Sequence, residues 1–262
     1  DPAEQMMLGD SPAMQETRAL IHKLARSQAP VYISGESGTG KELVARLIHN
    51  KGPRADHPFV PVNCGAIPAE LMESEFFGHK KGSFTGAISD KQGLFQAANG
   101  GTLFLDEIGN ISMSTQAKLL RFVQEKEFTP VGAHSPRQVD VRIVAATNKD
   151  LKQMVEDGTF REDLFFRINV IQVEVPPLRA RGSDILLLAQ HFLKLFASRA
   201  NREVTGISQP VAQKLMSYSW PGNVRELENI VERAMIVSRA DTLNIDSTWL
   251  SRADARPASK AE

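Results

Sequence analysis

Residues 35–41, with the sequence GESGTGK, have the G-x4-G-K spacing of a phosphate-binding loop. This loop lies between Val31–Ser34, which predicts a β-strand, and Lys41–His49, whose apolar residues share one face of a helix. Glycines let backbone N–H groups turn towards phosphate oxygens, and the lysine ammonium reaches the terminal phosphates. Glu42 departs from the pattern, because Ser or Thr usually contacts magnesium there. We predict nucleotide binding, rather than a structural glycine turn, at Gly35, Glu36, Ser37, Gly38, Thr39, Gly40, Lys41 and Glu42.

A pair of carboxylates, Asp106 and Glu107, follows the apolar run Thr102–Leu105. Apolar residues in succession predict a central strand that is covered on both faces. Such a strand delivers the residues after it to the carboxyl edge of a sheet, where ligands bind. One carboxylate can hold magnesium while the next polarises water. On its own the pair is more typical of solvated acids at a strand end, but the phosphate loop upstream favours catalysis.

The pattern around these residues predicts the elements that position them. Between Val31 and about Val175, short β-rich runs alternate with helical patterns, which indicates a layered α/β domain with a mainly parallel sheet. Pro176 and Pro177 can continue neither element, and only helices follow them. We predict an α/β domain over 1–177, a helical domain over 178–250 and a linker tail over 251–262. Further predicted strands are Phe59–Asn63, Val141–Thr147 and Val170–Val175, and the predicted helices of the second domain are Asp184–Ala200, Gln209–Ser217 and Asn223–Ser238.

Composition excludes several classes of protein. Of the 262 residues, 42% are apolar and 24% charged, as in ordinary globular proteins and unlike disordered, collagen-like or coiled-coil chains. The 31 basic and 31 acidic side chains leave no positive surplus for a stand-alone DNA-coating protein. The single cysteine, Cys64, forms no internal disulfide, favours a reducing compartment and is predicted to be a small packed residue. The start, DPAEQMM, lacks the plan of a signal peptide and no long apolar run follows, so we expect a cytoplasmic protein without membrane contact.

Five segments of the chain jointly resemble the central AAA+ domain of NtrC-type activators of sigma-54 RNA polymerase. They are Gly35–Glu42, Glu75–Ala87, Asn99–Glu107, Gly158–Arg167 and Trp220–Leu227. The resemblance extends from about residue 8 to about residue 250, and the first half is especially similar to regulators of type IV pilin transcription. It implies a P-loop NTPase with a small helical lid, ATP and Mg²⁺ as ligands, and a homo-oligomeric ring, expected to be a hexamer with a heptamer as the alternative. In this family GESGTGKE is the usual loop, so Glu42 is no obstacle to ATP binding.

The resemblance also implies roles for residues at the carboxyl edge of the predicted sheet. Lys41 would contact phosphate, Asp106 would serve magnesium and Glu107 would orient the attacking water. Asn63 is similar to the switch residue that holds the catalytic glutamate, and Asn148 to the sensor of the γ-phosphate.

Three arginines match the family at more distant positions. Arg161 and Arg167 resemble arginine fingers that a neighbouring subunit supplies, and such a group raises the rate of phosphoryl transfer by about 10³- to 10⁵-fold. Arg225 lies in the first turn of a predicted helix and matches the second sensor of the lid. The same helix begins with Asn223 and Glu226 at the spacing of a capping box, with the asparagine as cap.

The segment GSFTGA has neither helix nor strand period and places an aromatic residue between glycines. Its pattern alone favours a turn in which Phe84 is buried. The resemblance instead implies a pore loop that contacts sigma-54 and moves with nucleotide state. Ser83 stands where the family usually has alanine. The expected contact residues are Gly82, Ser83, Phe84, Thr85, Gly86 and Ala87.

The first functional hypothesis is an ATP-hydrolysing remodeller of the closed complex of sigma-54 polymerase. The alternative is a nucleotide-gated binding or scaffold domain with little turnover, although Glu107 and the two candidate fingers argue against it. Relatives usually carry a signal-receiving domain before this module and a DNA-binding domain after it, and we expect DNA contact only through such a domain. The acidic residues Glu226, Glu228 and Glu232 oppose phosphate contact, so the helices of residues 209–238 are interpreted as the lid rather than a helix-turn-helix.

Overall fold

The computed structural model describes residues 7, 9–204, 206–238 and 242–250. The predicted tail, 251–262, and most of the DPAEQMM segment lie outside the described residues. Contacts divide the chain into two compact units. The sheet unit comprises residues 19–34 and 41–174, and the loop-and-lid unit comprises the described parts of 1–18, 35–40 and 175–262. Helix α1, Pro12–Ala25, divides its residues between them.

The sheet unit contains a five-stranded parallel sheet, as predicted. Its strands are β1 (Val31–Ser34), β2 (Phe59–Asn63), β3 (Thr102–Asp106), β6 (Arg142–Thr147) and β7 (Ile171–Glu174), in the order β2-β3-β6-β1-β7. A separate antiparallel pair is formed by β4 (Glu127–Phe128) and β5 (Arg137–Gln138). Strand β3 lies in the interior of the sheet, as expected from its apolar run. The middle strand is β6, and all six of its residues are buried.

Helices of the sheet unit cover a core that contains a cluster of phenylalanines. Phe95 is the hub of this cluster, with its ring centroid 4.4 Å from that of Phe122 and 5.2 Å from that of Phe77. Cys64 is buried beside the core as a free thiol, which confirms the predicted packing role. The helices are α2 (Lys41–Asn50), α3 (Met72–Phe77), α4 (Leu94–Ala97), α5 (Met113–Glu125), α6 (Leu151–Glu156) and α7 (Glu162–Ile168), with short 3-10 helices at Cys64–Ala66, Ala69–Leu71 and Ile108–Asn110.

The loop-and-lid unit contains the predicted helical bundle. After a 3-10 helix at Leu178–Ala180 come α8 (Asp184–Arg199), α9 (Gln209–Ser217) and α10 (Asn223–Val237). Trp220 is fully buried between the last two helices, and its indole N–H donates to the carbonyl of Leu215 at 2.7 Å.

The predicted cap of α10 is wrong. Gly222 is the N-cap, and Asn223 is the first helical residue, with a left-handed φ of 53°. Glu226 does accept a hydrogen bond at this end of the helix, from the N–H of Gly222 at 3.0 Å. The Asn223 side chain is unavailable as a cap because it is buried and bonded to two other segments of the chain.

Candidate nucleotide site

The carboxyl edge of the parallel sheet gathers the polar residues predicted for the sheet unit. Asn63 ends β2 and is the register partner of Asp106 at the end of β3. Asn148 directly follows β6, the strand that pairs with β3 on its other side. Glu107 comes next in the chain after Asp106. The structure therefore brings four of the predicted site residues to one edge of one sheet.

Asp106 is half-buried, and its surroundings shift its pKa in opposite directions. Burial raises the pKa of the carboxyl group above its ordinary value. A hydrogen bond from the N–H of Glu107, at 2.9 Å, and the charge of Lys41 work against this rise. Lys41 begins α2, so the strand-to-helix turn places its ammonium within electrostatic reach of the carboxylate. A carboxylate and an ammonium in this arrangement suit a phosphate with its divalent cation.

Glu42, the departure from the common loop spacing, lies in the first turn of α2. Its carboxylate is 3.8 Å from the guanidinium of Arg46, one helical turn along, and the pair is exposed. Within the described residues, no group of three or more His, Cys, Asp or Glu side chains could hold a metal by itself. A metal held by one carboxylate together with phosphate oxygens fits this donor set, because Mg²⁺ keeps waters and needs few protein ligands.

Glu107 has a left-handed backbone, with φ 54° and ψ 47°. Its carboxylate accepts a hydrogen bond from the side-chain amide of Asn110 at 3.3 Å. The carbonyl oxygen of that amide accepts in turn from the ammonium of Lys149 at 2.5 Å. Sequence reasoning missed both Asn110 and Lys149. The only sequence signal was their closeness to Glu107 and Asn148.

Asn63 and Gly65 lie next to the Glu107 carboxylate. The side-chain oxygen of Asn63 accepts from the N–H of Gly65 at 3.0 Å and caps the 3-10 helix that follows β2. A Cβ atom built at Gly65 would overlap Oε2 of Glu107 and lie 3.3 Å from that Asn63 oxygen. The switch role implied for Asn63 stays a prediction. Burial, followed by the charges of Asp106 and Glu107, raises the pKa of neighbouring Cys64 to about 12, so this thiol stays protonated.

The phosphate loop belongs to the loop-and-lid unit up to Gly40. Gly38 and Gly40 have φ values of 81° and 100°, which side-chain-bearing residues rarely adopt. A Cβ atom at Gly38 would also overlap the carbonyl oxygen of Gly222 at the start of the last lid helix. Thr39 closes the turn by donating its hydroxyl to the carbonyl of Glu36 at 2.8 Å.

Lid residues lie against this loop within the same unit. Arg225 is the third residue of α10, its side chain is exposed, and its N–H donates to the carbonyl of Gly38 at 3.2 Å. Arg179 forms an ion pair with Glu36, with Nη2 2.7 Å from Oε2. The sensor role implied for Arg225 stays a prediction.

The two candidate arginine fingers lie at the ends of α7 in the sheet unit. Arg161 is the N-cap residue, and its guanidinium binds Asp163 in a bidentate pair with distances of 3.0 and 2.9 Å. The hydrogen bond from Arg161 lowers the pKa of Asp163. Arg167 lies exposed in the last turn, next to Phe166, which is 66% exposed. The backbone of Arg161 is fixed, since its N–H donates to the buried side chain of Gln116 at 2.8 Å.

The loop of residues 82–87 also belongs to the sheet unit. The N–H of Gly82 donates to the carbonyl of Ala87 at 2.8 Å, which closes the loop at its base. Phe84 is 37% exposed, and its ring meets the His79 ring edge-on with the centroids 4.9 Å apart. A turn with a buried Phe84 is therefore wrong. The loop presents its aromatic residue at the surface.

Comparison with known proteins identifies the family. A family model described as the sigma-54 interaction domain matches residues 7–174, and one described as the AAA+ ATPase lid domain matches residues 179–260. The response regulator protein PilR of Pseudomonas aeruginosa is 59% identical over 259 residues, which cover 99% of this chain and 58% of PilR. The regulatory protein AtoC of Escherichia coli is 55% identical over 88% of this chain and 50% of its own length.

Solved structures agree with this assignment. The crystal structure of NtrX from Brucella abortus in complex with ATP has a TM-score of 0.85 and 39% identity, covering 97% of this chain and 57% of NtrX. The chain thus spans about half the length of the relatives it matches. None of the helices in the described part of the chain is long and apolar enough to span a membrane. With its parallel sheet, phosphate loop and helical lid, the chain belongs to the sigma-54 interaction domain family of AAA+ P-loop NTPases, the central domains of sigma-54-dependent transcriptional activators.

Proposed function

We propose that this domain hydrolyses ATP within a homo-oligomeric ring and uses the cycle to engage sigma-54 through the loop of residues 82–87. The observation that supports the proposal is that the sheet unit contains both a pair of candidate catalytic carboxylates and an exposed aromatic loop. Asp106 and Glu107 lie at the carboxyl edge of the sheet, and the glycine-flanked Phe84 lies at the surface. The NtrX relative in complex with ATP supports ATP as the nucleotide. The result of the cycle would be remodelling of the closed promoter complex of RNA polymerase.

The residues divide the chemical work as follows. Backbone N–H groups of the phosphate loop and the ammonium of Lys41 bind phosphate oxygens. Asp106 would hold Mg²⁺, which when bound neutralises charge on the phosphates. Glu107 orients water and takes its proton, and the contact from Asn110 limits the positions its carboxylate can adopt. Asn148 and Arg225 would each sense the terminal phosphate, the roles that the family resemblance implies for them.

Assembly and surroundings complete the proposal. Arg161 and Arg167 act on the nucleotide of a neighbouring protomer, so a ring, expected to be a hexamer, is the active form. The exposed Phe166 beside Arg167 offers apolar surface for that contact. Sigma-54 polymerase as partner implies work in the cytoplasm, and DNA would be reached through another domain. The competing function, a nucleotide-gated scaffold, needs neither a water-orienting acid nor arginines from a neighbour.

The dependence of ATPase rate on protein concentration tests the proposal. A steep rise in rate per protomer with concentration is expected, because each site is complete only after association. The rate should level off where sedimentation shows that rings have formed. A rate per protomer that stays flat across the association range would contradict the shared site.

Replacing Gly65 by alanine should lower kcat by about tenfold to 10²-fold, because the added methyl group displaces the carboxylate of Glu107. The phosphate loop is untouched, so the Kd for ATP should stay the same. Phosphate release in steady state and calorimetric titration measure the two quantities. Ala66→Ser, at the exposed neighbouring residue, is the matched control. A normal kcat in the Gly65→Ala protein would show that the close approach has no catalytic meaning.

Replacing Phe84 by alanine should weaken binding of sigma-54 by about 30-fold, in the range of an aromatic hot spot, while ATP hydrolysis continues. The Phe84 ring meets the ring of His79, which precedes the loop in the chain. Ile88→Ala removes another exposed apolar side chain just outside the loop and serves as control. Binding is measured by fluorescence anisotropy with labelled sigma-54. Equal losses in both variants would reject a specific role for Phe84.

A further inference from the structure

Three consecutive carbonyl groups of the phosphate loop are held by donors from the lid segment. The carbonyl of Ser37 accepts from the side-chain amide of Asn223 at 3.1 Å. The carbonyl of Gly38 accepts from the N–H of Arg225 at 3.2 Å, and the carbonyl of Thr39 accepts from the guanidinium of Arg181 at 3.1 Å. All of these residues lie within the loop-and-lid unit.

The geometry of the peptide group gives this arrangement a consequence for ligand binding. In a planar trans peptide, the C=O of one residue and the N–H of the next point in opposite directions. Fixing the carbonyls of residues 37, 38 and 39 therefore fixes the N–H groups of residues 38, 39 and 40 on the other side of the loop. Those N–H groups are the ones that a phosphate-binding loop offers to an anion.

We propose that Arg181 and Asn223 are positioning residues for phosphate binding, which hold the loop carbonyls so that its N–H groups converge on the anion. This inference rests on the proposed binding of ATP at residues 35–41. It assigns to the lid segment a second contribution, distinct from that of the Arg225 side chain. A loop whose carbonyls are held in this way needs less ordering when phosphate binds.

The burial of Arg181 suits it to positioning the loop carbonyls. Only 1% of the residue is exposed, and its guanidinium also donates to the carbonyl of Pro176 at 2.9 Å. Burial lowers its pKa to about 10, so the group keeps its charge at neutral pH. Its Nη1 atom is buried without a hydrogen-bond partner in the described part of the chain. The charge of the nearby Asp184 carboxylate, which accepts from the N–H groups of Asp10 and Ser11, works against this lowering of the pKa.

Asn223 links the loop to the start of the lid through both ends of its amide. The nitrogen donates to Ser37, and the oxygen accepts from the N–H of Leu178 at 2.9 Å. The side chain is fully buried, so the loss of either hydrogen bond costs free energy that water does not restore. Its φ of 53° is one that asparagine and glycine tolerate, and Asn223→Gly therefore removes the side chain without straining the backbone.

The test measures the Kd of ADP by calorimetry in the absence of Mg²⁺, so that affinity reports on the loop rather than on the metal. Asn223→Gly and Arg181→Met should each weaken ADP binding about fivefold to tenfold, the effect of one buried hydrogen bond. Arg181→Lys, which keeps the charge and one donor, should recover part of the loss. In steady state, KM for ATP should rise by the same factor while kcat stays within about twofold. Arg202→Met is the matched control, because Arg202 also holds a backbone carbonyl, that of Met235 at 2.6 Å, within the lid helices.

The outcomes separate this inference from the proposed function. A wild-type protein that fails to bind ADP would reject the proposed function itself. Wild-type affinity in both Asn223→Gly and Arg181→Met, with a normal wild-type protein, would overturn the positioning role and leave the proposed function intact. A loss of affinity in Arg202→Met equal to that in the other variants would reduce the effect to general weakening of the lid. Unfolding temperatures without nucleotide identify any variant that does not fold, and Asn223→Gly carries the test if Arg181→Met is lost.

Discussion

Replacing Glu107 by glutamine is expected to lower ATP hydrolysis by about 10²- to 10⁴-fold while ATP remains bound. Glutamine keeps the size of the side chain and an oxygen for the contact with Asn110, but it cannot take a proton from water. The phosphate loop, Lys41 and Asp106 are unchanged, so the Kd for ATP should stay within about threefold, less than the 1.4 kcal/mol that a tenfold change represents. Single-turnover phosphate release and calorimetry measure the two effects on the same preparation.

The control for this substitution is Glu125→Gln on α5. Glu125 is an exposed carboxylate whose oxygen lies 3.3 Å from the guanidinium of Arg121, and it lies in the same unit as Glu107. Its replacement removes the same charge from the protein and should leave both quantities unchanged. If Glu107→Gln hydrolyses ATP at the wild-type rate, the nucleotide-gated scaffold becomes the better description of this domain.

Replacing Arg161 by alanine should reduce the ATPase rate at saturating protein by about 10³- to 10⁵-fold, the range of an arginine finger. The guanidinium is solvent-exposed and paired only with Asp163, as far as the described contacts extend. Exposed pairs of this kind contribute little to stability, so the arginine can leave Asp163 for a phosphate at small cost. The unfolding temperature of the Arg161→Ala protein should accordingly stay close to that of the wild type.

A mixing experiment decides whether Arg161 acts within its own protomer or on a neighbour. The Arg161→Ala and Glu107→Gln proteins are each inactive alone in both cases. If the arginine acts on a neighbour, a mixed ring contains sites with an intact Glu107 from one protomer and an intact Arg161 from the next. Activity should then return on mixing. Two inactive proteins that remain inactive together, although they co-assemble, would place the arginine in its own site and remove the reason for a ring.

Local features of this protein could be predicted from its sequence because local pattern determines them. All five sheet strands lie within one residue of their predicted bounds at each end, since apolar runs between polar turns specify where a buried strand begins and ends. Asp106 could be placed because a strand of known direction delivers its last residue to a known edge. Its half-burial and the approach of Lys41 follow from that placement.

Contacts between distant segments could not be predicted. Asn223 was expected to cap its own helix, but its amide bonds to Ser37, 186 positions away in the chain. In the sequence, Arg181 has no feature that distinguishes it from other charged residues near the two prolines. Only the folded structure shows that its side chain is buried and bonded to the phosphate loop. The contacts of Asn110 and Lys149 could not be predicted either, because they form only when the ends of two strands lie side by side. Their closeness to each other can be recognised only when the order of the strands in the sheet is known.

The left-handed backbone of Glu107 has a consequence for how this domain balances stability against activity. A residue with a Cβ atom and a long side chain costs about 1 kcal/mol or more in that conformation, and glycine would adopt it freely. Glu107→Gly should therefore give a protein that unfolds at a higher temperature and hydrolyses no ATP. Selection for thermal stability alone would drive the position away from glutamate. The strained residue at the strand end is thus a point at which activity opposes stability in this domain.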